Sequence, residues 1–508
     1  MAPFRPAAIC TFALSLAVSA TSALADLTPD QVWQDWKSYF GGFGYEVTGE
    51  PSQVGGTLTI SDLGMTMQMP DDAGSVLMRM GEVQMIGNAD GTVSMILPER
   101  MPVAIEAMDD EGQQVTVTME IAHQDLNITV SGSSEAMEYA YDAAELSMAL
   151  IDLMADGESL DIKTAQIRFA DVTGSSQSNL SDQVRALSQT MTAGPVTYDL
   201  DFTEPDQGGR LAFTGSVAQA RFAGEGEIPQ SFDGNKIAAS LNAGFRFESR
   251  FEYETGSSAY RFEDAGDVLE GTNSSDSGNI ATAIGPDGLR YAAEGRNMEI
   301  AATASDLPFP VTLNMARMAF NVAVPVAKSE TAQDFALTLA LSDFTMSEMI
   351  WALFDPGEQL PRDPATIALD LVGKGRLFFD IFDPATAEKI EADNAVPGEL
   401  ESLDLNNLTL SIAGARLTGE GGFVFDQDDL TTFDGMPAPE GAVDLTLVGG
   451  NALLDKLIAM GLLPQDQATG VRMMMGLFAV PAEGEDTLTS RIEVTEDGQV
   501  LANGQRLR

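Results

Sequence analysis

The residues able to do chemistry are few, and each sits in a pattern with a plainer use. His123 is the only histidine, so a Ser-His-Asp triad would depend on this one ring. It lies in Glu120-Ile121-Ala122-His123-Gln124-Asp125, where a strand gives way to a turn. An exposed or hydrogen-bonded strand-end histidine is the expectation there, ahead of a general base. The 77 Asp and Glu residues supply so many chance pairs that spacing nominates none of them for glycoside hydrolysis. Carboxylates cluster in two turns, Asp426-Gln427-Asp428-Asp429 and Asp109-Asp110-Glu111-Gly112. Neither follows the twelve-residue calcium loop, so incidental cation binding is expected over a dedicated site.

Methionine is the oddest feature. There are 25, with Met65, Met67 and Met69 alternating, Met78 and Met80 close by, and Met473-Met474-Met475 near the end. Thioethers at this spacing suit Cu(I), yet alternate strand positions are also where core residues belong. Core packing is the preferred reading, ahead of a groove for apolar cargo and then copper. Gly224-Glu225-Gly226 and Gly419-Glu420-Gly421-Gly422 lie within β patterns beside acids that would repel phosphate, so nucleotide chemistry is rejected. No residue is nominated as catalytic, cofactor-binding or metal-ligating, and no cofactor is implied.

Charge narrows the partners. With 27 basic residues the formal net charge is −50, a field that repels nucleic acid. Arg5, an apolar stretch over residues 9–18 and the box Ala23-Leu24-Ala25 read as a secretory signal over residues 1–25, with Asp26 opening the mature chain. That stretch is too short to span a bilayer as a helix. Cys10, the single cysteine, would leave with the signal. The expected compartment is the periplasm, the expected mature chain thiol-free.

The elements follow from periodicity. Thr28, Pro29 and Gln31 start a capped helix whose apolar positions are Val32, Trp33, Trp36, Tyr39 and Phe40, expected to plug or cap a sheet. Beyond Gly55 the period becomes two: Leu58 and Ile60, then the methionine runs, then Val115 to Ile121 and Leu126 to Val130. The same alternation resumes at Val196 to Phe202, Phe245 to Tyr253, Val311 to Val324 and Phe335 to Leu341. It continues at Leu377 to Phe382, Leu408 to Phe425 and Val443 to Leu447. Gly and Asp corners between these runs describe an antiparallel meander. Further helices are expected at Leu180 to Met191, after a Thr345/Glu348 capping box, from Asn451, and over residues 466–478. Candidate joints are 204–209, 266–279 and 434–441. The middle one, through Asn273-Ser274-Ser275-Asp276-Ser277-Gly278, reads as a flexible loop between halves of about 26–270 and 280–508.

Three segments carry a family resemblance. They are Asp26-Leu27-Thr28-Pro29 through Trp36 to Gly44-Tyr45-Glu46-Val47, Asp355-Pro356-Gly357 to Leu360-Pro361-Arg362-Asp363-Pro364, and Ile492 to Arg508 with Asp497-Gly498 and Asn503-Gly504. Together they resemble the exported bacterial domain of unknown function 2125 over nearly the whole mature chain. The resemblance implies no activity and no catalytic residues.

The fold expected is mainly β: large curved antiparallel sheets, as an open barrel, sandwich or groove, with a few amphipathic capping helices. The function expected is non-enzymatic binding or scaffolding in the cell envelope, with an apolar sheet face holding a lipid or other amphiphile. A periplasmic carboxylate-based hydrolase and a Met-based copper protein are the alternatives. The discriminating feature is whether the apolar face is filled by the chain's own side chains or left open.

Overall fold

The computed structural model describes residues 26–507, apart from 70–73, 109–113, 156–157, 160–161, 204–208, 235, 308, 384–385 and 387–395. Helix α1 (Pro29–Gly42) starts as its sequence dictates. The Thr28 hydroxyl accepts the Gln31 amide at 3.3 Å while the Gln31 side chain accepts the Thr28 amide at 2.9 Å, closing a capping box.

Strands follow in long runs. They are β1 (Glu46–Val54), β2 (Thr57–Gln68), β3 (Gly74–Gly87), β4 (Val93–Ile96), β5 (Arg100–Met108), β6 (Gln114–Gln124), β7 (Asn127–Ser133), β8 (Ala136–Ala155) and β9 (Glu158–Ser159). Next come β10 (Ile162–Leu180), β11 (Val184–Ala193), β12 (Val196–Thr203), β13 (Arg210–Pro229), the short α2 (Ile237–Asn242), β14 (Arg246–Asp264), β15 (Asp267–Gly285), β16 (Gly288–Ala304), β17 (Val311–Val324) and β18 (Gln333–Met346). The chain then forms α3 (Glu348–Phe354), β19 (Ala365–Leu377), β20 (Gly398–Ile412), β21 (Ala415–Asp426), β22 (Ala438–Val448), α4 (Gly450–Ala459) and α5 (Gln465–Phe478). It closes with β23 (Val480–Pro481), β24 (Thr487–Val494), β25 (Val500–Ala502) and β26 (Gln505–Arg506).

The strands make one large antiparallel sheet. From β13 to β22 each strand pairs with the next in sequence, as a meander requires. Among the described residues β1 pairs with β2 alone, so the sheet stays open. Its edge strand β1 carries Pro51, which has no amide to offer a further strand.

One crease folds the sheet. Asp171 in β10, Thr255 in β14, Asn297 in β16 and Asp343 in β18 all have φ between 47° and 54°, a left-handed backbone that Asp and Asn tolerate best. At Asp171, Thr255 and Asn297 one rung is missing and the register is the same on both sides; at Asp343 two rungs to β17 are missing and the register with β19 shifts by one. They lie along one cross-strand row, where the Asn297 side chain donates to Asp276 at 2.7 Å. Across this row the inward-facing positions change parity. In β14 the apolar side is Phe247, Phe251 and Tyr253 above the crease, then Gly256, Tyr260 and Phe262 below it. The left-handed residue turns the pleat over, so both limbs keep their apolar side inward.

Several expectations are corrected. Leu180 to Met191 is not a helix: Leu187 and Met191 share a strand face in β11, and its helical spacing also fits every second pair of a period-two pattern. Helix α3 is capped from Ser347, without a side-chain hydrogen bond, because Thr345 is still in β18. Strand β19 ends at Leu377; the expected strand 377–382 is a loop in which the Asp380 carboxylate accepts the Lys328 amide at 2.8 Å. The presumed loop Asn273 to Gly278 is the middle of β15, paired on both sides. Its Ser, Asn and Gly content marks the crease.

Candidate functional site

The apolar face of the sheet is occupied differently along its length. Over β2–β4, β7 and the start of β8 it is filled, while Met148 farther along β8 is 43% exposed. Val32 and Trp33 of α1 are buried against Leu58, Ile60, Val83, Met85, Met95 and Met137, each such side chain contributing roughly 1.5–3 kcal/mol on burial. Met65 and Met80 thus take the packing role expected of them, in the socket of α1, whereas Met473 and Met474 on α5 stand 72% and 54% exposed and do not pack in a core. The helix is also tied electrostatically. Asp35 meets Arg185 of β11 at 2.6 Å, both side chains under a tenth exposed. The Tyr139 hydroxyl donates to the other Asp35 oxygen at 2.9 Å, and Arg185 donates to Ser178 at 2.6 Å. Burial, and then the neighbouring Asp35 charge, push the Tyr139 phenol well above its usual range.

Over β8–β13 residues from the two sides of the crease share a buried cluster. Ala143, Val172, Ala193, Val196 and Ala220 are buried along the crease, with Met191 and Phe251 of the upper limb and Phe169 and Val217 of the lower limb packed round them. Small residues at the crease let the walls approach.

From β14 onward the same face is bare. Cross-strand partners carry one row through Phe251, Ile280, Ala293, Phe320, Leu339 and Leu369. Below the crease another runs Phe202, Leu211, Phe262 and Leu269. Phe213, Phe247, Phe262, Leu269, Ile280, Tyr291, Met318, Leu339, Ile367 and Leu410 are all more than a third exposed. At ~200 Å² per large side chain these ten alone bare on the order of 800 Å², beyond what monomeric soluble proteins usually leave uncovered. Large apolar side chains that are fully buried beyond residue 246 are few: Met315, Val326, Trp351, Leu360 and Val494.

The other face is polar. Ion pairs such as Arg221–Glu254 at 3.0 Å, Arg317–Glu294 at 3.0 Å and Arg491–Asp444 at 2.6 Å cross between neighbouring strands. The pairing with Arg317 and Arg296 holds the Glu294 carboxyl below its usual range despite partial desolvation. Two hollows lie on this face. One, of about 1220 Å³, is lined by Glu225, Glu248, Arg290, Asp334 and Lys374 among others; the second, of about 470 Å³, lies beside Arg261 and Glu270. Their rims are already ion-paired, as in Lys374–Asp334 at 3.1 Å.

Tyrosines lie flat across glycines of the apolar face. A Cβ at Gly271 would meet the Tyr260 hydroxyl, and one at Gly278 the Tyr253 ring. The ring covers the backbone that glycine leaves bare. Tyr253 also bonds Ser275 at 3.0 Å on the floor of the crease, where the side-chain oxygen of Asn273 is buried without a donor.

The residues singled out for chemistry are not brought together. His123 is neither exposed at a turn nor hydrogen-bonded through its ring: both ring nitrogens are buried without a partner, opposite Leu146 on the apolar side. It continues the odd-numbered apolar row of β6, two residues beyond Ile121. Asp429 folds onto its own turn, accepting from the Thr431 and Thr432 amides at 3.0 Å, and the Thr432 hydroxyl together with these amides lowers its carboxyl to about 2. The turn 109–112 and the leader 1–25 lie outside the described residues. Among the described residues no group of three His, Cys, Asp or Glu side chains could hold a metal. The carboxyls of Asp90, Asp201, Glu263, Glu294, Asp355 and Asp429 are all held below their usual range, away from that of a general acid. The glycine pairs lie inside β13 and β21. Asp355-Pro356-Gly357 forms a clamp: the buried Asp355 accepts the Gln359 and Leu360 amides at 2.9 Å and Arg362 at 2.6 Å. Desolvation raises its carboxyl, but these donors outweigh it and hold it low. Arg362 stacks over Trp351 at 4.3 Å, so this segment seats α3 at the strand ends.

Sequence reasoning missed the crease itself. Its available signal was the slip in apolar alternation between Tyr253 and Gly256. Comparison with protein families matches residues 246–507, just over half of the chain, to a family described as "Uncharacterized protein conserved in bacteria (DUF2125)". The match includes two of the three resembling segments and begins with β14, the first strand of the bare face. No curated protein matches the chain. No solved structure matches it either. Among the described residues no helix is long and apolar enough to cross a membrane.

Proposed function

Because the chain belongs to the uncharacterized bacterial family DUF2125, whose description assigns no activity, we propose a role from the bare sheet face: an exported, non-enzymatic envelope protein that holds an amphiphile on the apolar side of β14–β20. The observation that carries this reading is one sheet face used in two ways. Where β2–β4 and β7 meet α1 it is covered by the aromatic and aliphatic side chains of that helix. Over β14–β20 its cross-strand rows continue without a covering element. An acyl chain supplies the kind of surface that α1 supplies, and burying each methylene is worth about 0.8 kcal/mol. The net charge of −50 favours a neutral or zwitterionic head group over an anionic one.

Export rests on the leader features and on the seating of the chain just beyond them. Leu27, one residue past the expected cleavage point, is buried, and its amide bonds the Gly91 carbonyl at 3.0 Å. Native mass spectrometry of the processed protein incubated with lysophosphatidylcholine tests the first claim. A bound lysolipid is expected, and no uptake at any ratio rules the role out. N-terminal sequencing of the protein from the periplasmic fraction should begin at Asp26; an unprocessed cytosolic chain refutes export.

A further inference from the structure

Helix α5 turns its apolar side away from the sheet. Its inward positions, spaced by three and four, are Ala468, Arg472, Met475 and Phe478, of which Ala468 is fully buried. The positions opposite are Gly470, Met473, Met474 and Leu477, and the last three are exposed. Only Asp466, in the first turn, puts a charge on that side. A helix lying on a sheet normally reverses this order, with charged residues toward water. The seat of α5 is fixed. Arg472 donates to Asp455 of α4 at 2.6 Å, and the Phe478 carbonyl accepts from the Ser490 hydroxyl at 2.6 Å and the Asn503 side-chain amide at 2.9 Å.

Neighbouring elements extend the patch. Trp351, Leu360 and Ala413 form a buried cluster against which Phe354 of α3 and Leu453 of α4 pack, so α3 and α4 stand side by side with α5 next to α4. Outside this cluster Met349 and Leu353 of α3 and Leu462 of the α4–α5 loop are exposed. Charge is nearly balanced here. The three helices contain Glu348, Asp455 and Asp466 against Lys456 and Arg472, in a chain of net charge −50. Glu348 is paired with Arg362 at 3.4 Å, and Asp455 with Arg472.

We propose that this helical end is the surface by which the protein rests on a zwitterionic lipid bilayer, with Met473, Met474 and Leu477 entering the acyl region. The occupant follows from charge and side-chain type. A net charge of −50 is repelled by an anionic bilayer, whereas nearly neutral helices meet a surface without net charge unopposed. A second copy would bring an equal negative charge against this one. The outward side of α5 also lacks the aromatic and arginine anchors on which protein interfaces depend. Methionine and leucine are flexible and uncharged, and a fluid acyl layer asks for no fixed shape. The inference is independent of the amphiphile reading, which concerns the face of β14–β20.

The test sediments the processed full-length protein with phosphatidylcholine vesicles. The wild type should pellet with the vesicles and stay in solution without them. Met473→Gln, Met474→Gln and Leu477→Gln combined should lower partitioning by roughly tenfold or more and leave lysophosphatidylcholine uptake as in the wild type. If that variant does not fold, Met473→Gln alone decides, with a loss of about threefold. Adding phosphatidylglycerol should weaken binding at low salt, and added salt should restore it. Leu339→Glu, on the bare sheet face, should pellet like the wild type. A wild type that stays in solution, or a triple variant that partitions like it, overturns the proposal. So does a loss confined to Leu339→Glu, which moves the lipid contact to the sheet. A dimer in analytical ultracentrifugation that the triple variant splits assigns the patch to a second copy and overturns it equally.

Discussion

Asp35 and Arg185 stand 150 positions apart in sequence and meet at 2.6 Å beneath α1, both nearly sealed from solvent. Desolvating two charges is costly, and mutual attraction offsets this only with further hydrogen bonds. Tyr139 supplies one to Asp35, and Ser178 accepts one from Arg185. Asp35→Ala should therefore destabilise the fold by about 3–5 kcal/mol, because it strands a buried guanidinium. Asp35→Leu combined with Arg185→Met should cost clearly less. Urea denaturation of both variants checks this, and equal losses would refute it.

The same cluster sets an alkaline limit. The Tyr139 phenol is raised by burial and by Asp35. A group with a raised folded-state value contributes stability that is complete below its unfolded value and lost as pH rises toward the folded one. Stability should thus decline as pH climbs past the ordinary phenol value of 10.0, and Tyr139→Phe should flatten that decline. Chemical denaturation at stepped alkaline pH is the measurement; a slope unchanged in the variant contradicts it.

Thr255 is a β-branched residue held at φ 48°, where Asp or Asn is easier to accommodate. Its side chain is exposed. Thr255→Asn should raise stability by about 1 kcal/mol through relief of backbone strain. A lower midpoint in thermal melts would show that the crease does not depend on the left-handed residue.

Two glycine substitutions should move in opposite directions. A Cβ at Gly271 has no room under Tyr260, whereas Gly470 within α5 has nothing within 4 Å. Gly271→Ala should cost about 1–3 kcal/mol, because the added methyl meets the Ala301 backbone carbonyl as well as the Tyr260 ring. Gly470→Ala should gain about 0.5–1 kcal/mol from helix propensity. Paired denaturation curves decide it.

Leu339, 42% exposed on the bare face, separates binding from folding. Leu339→Glu should leave stability within about 0.5 kcal/mol of the wild type and reduce lysophosphatidylcholine uptake at least tenfold. Unimpaired uptake would place the cargo elsewhere.

The strands legible in sequence were those whose apolar positions alternate without interruption, such as Val196 to Phe202 and Phe335 to Leu341. Those that escaped are rich in Ser, Gly, Asn and Ala or cross the crease: β8, β10, β15 and β16. A period-two signal is averaged away when its phase slips mid-strand, as it does at Asp171 and Thr255.

Local chemistry alone determined the capped α1, the dry side shared by the strands, the Asn503-Gly504 corner joining β25 to β26, and the excess of negative charge. These depend on neighbours in the chain. Tertiary structure decided where α1 lies, which partner Asp35 finds, and that the apolar face is covered at one end and bare at the other. Alternation tells which side of a strand is dry, but only the packing of distant strands tells what, if anything, covers it.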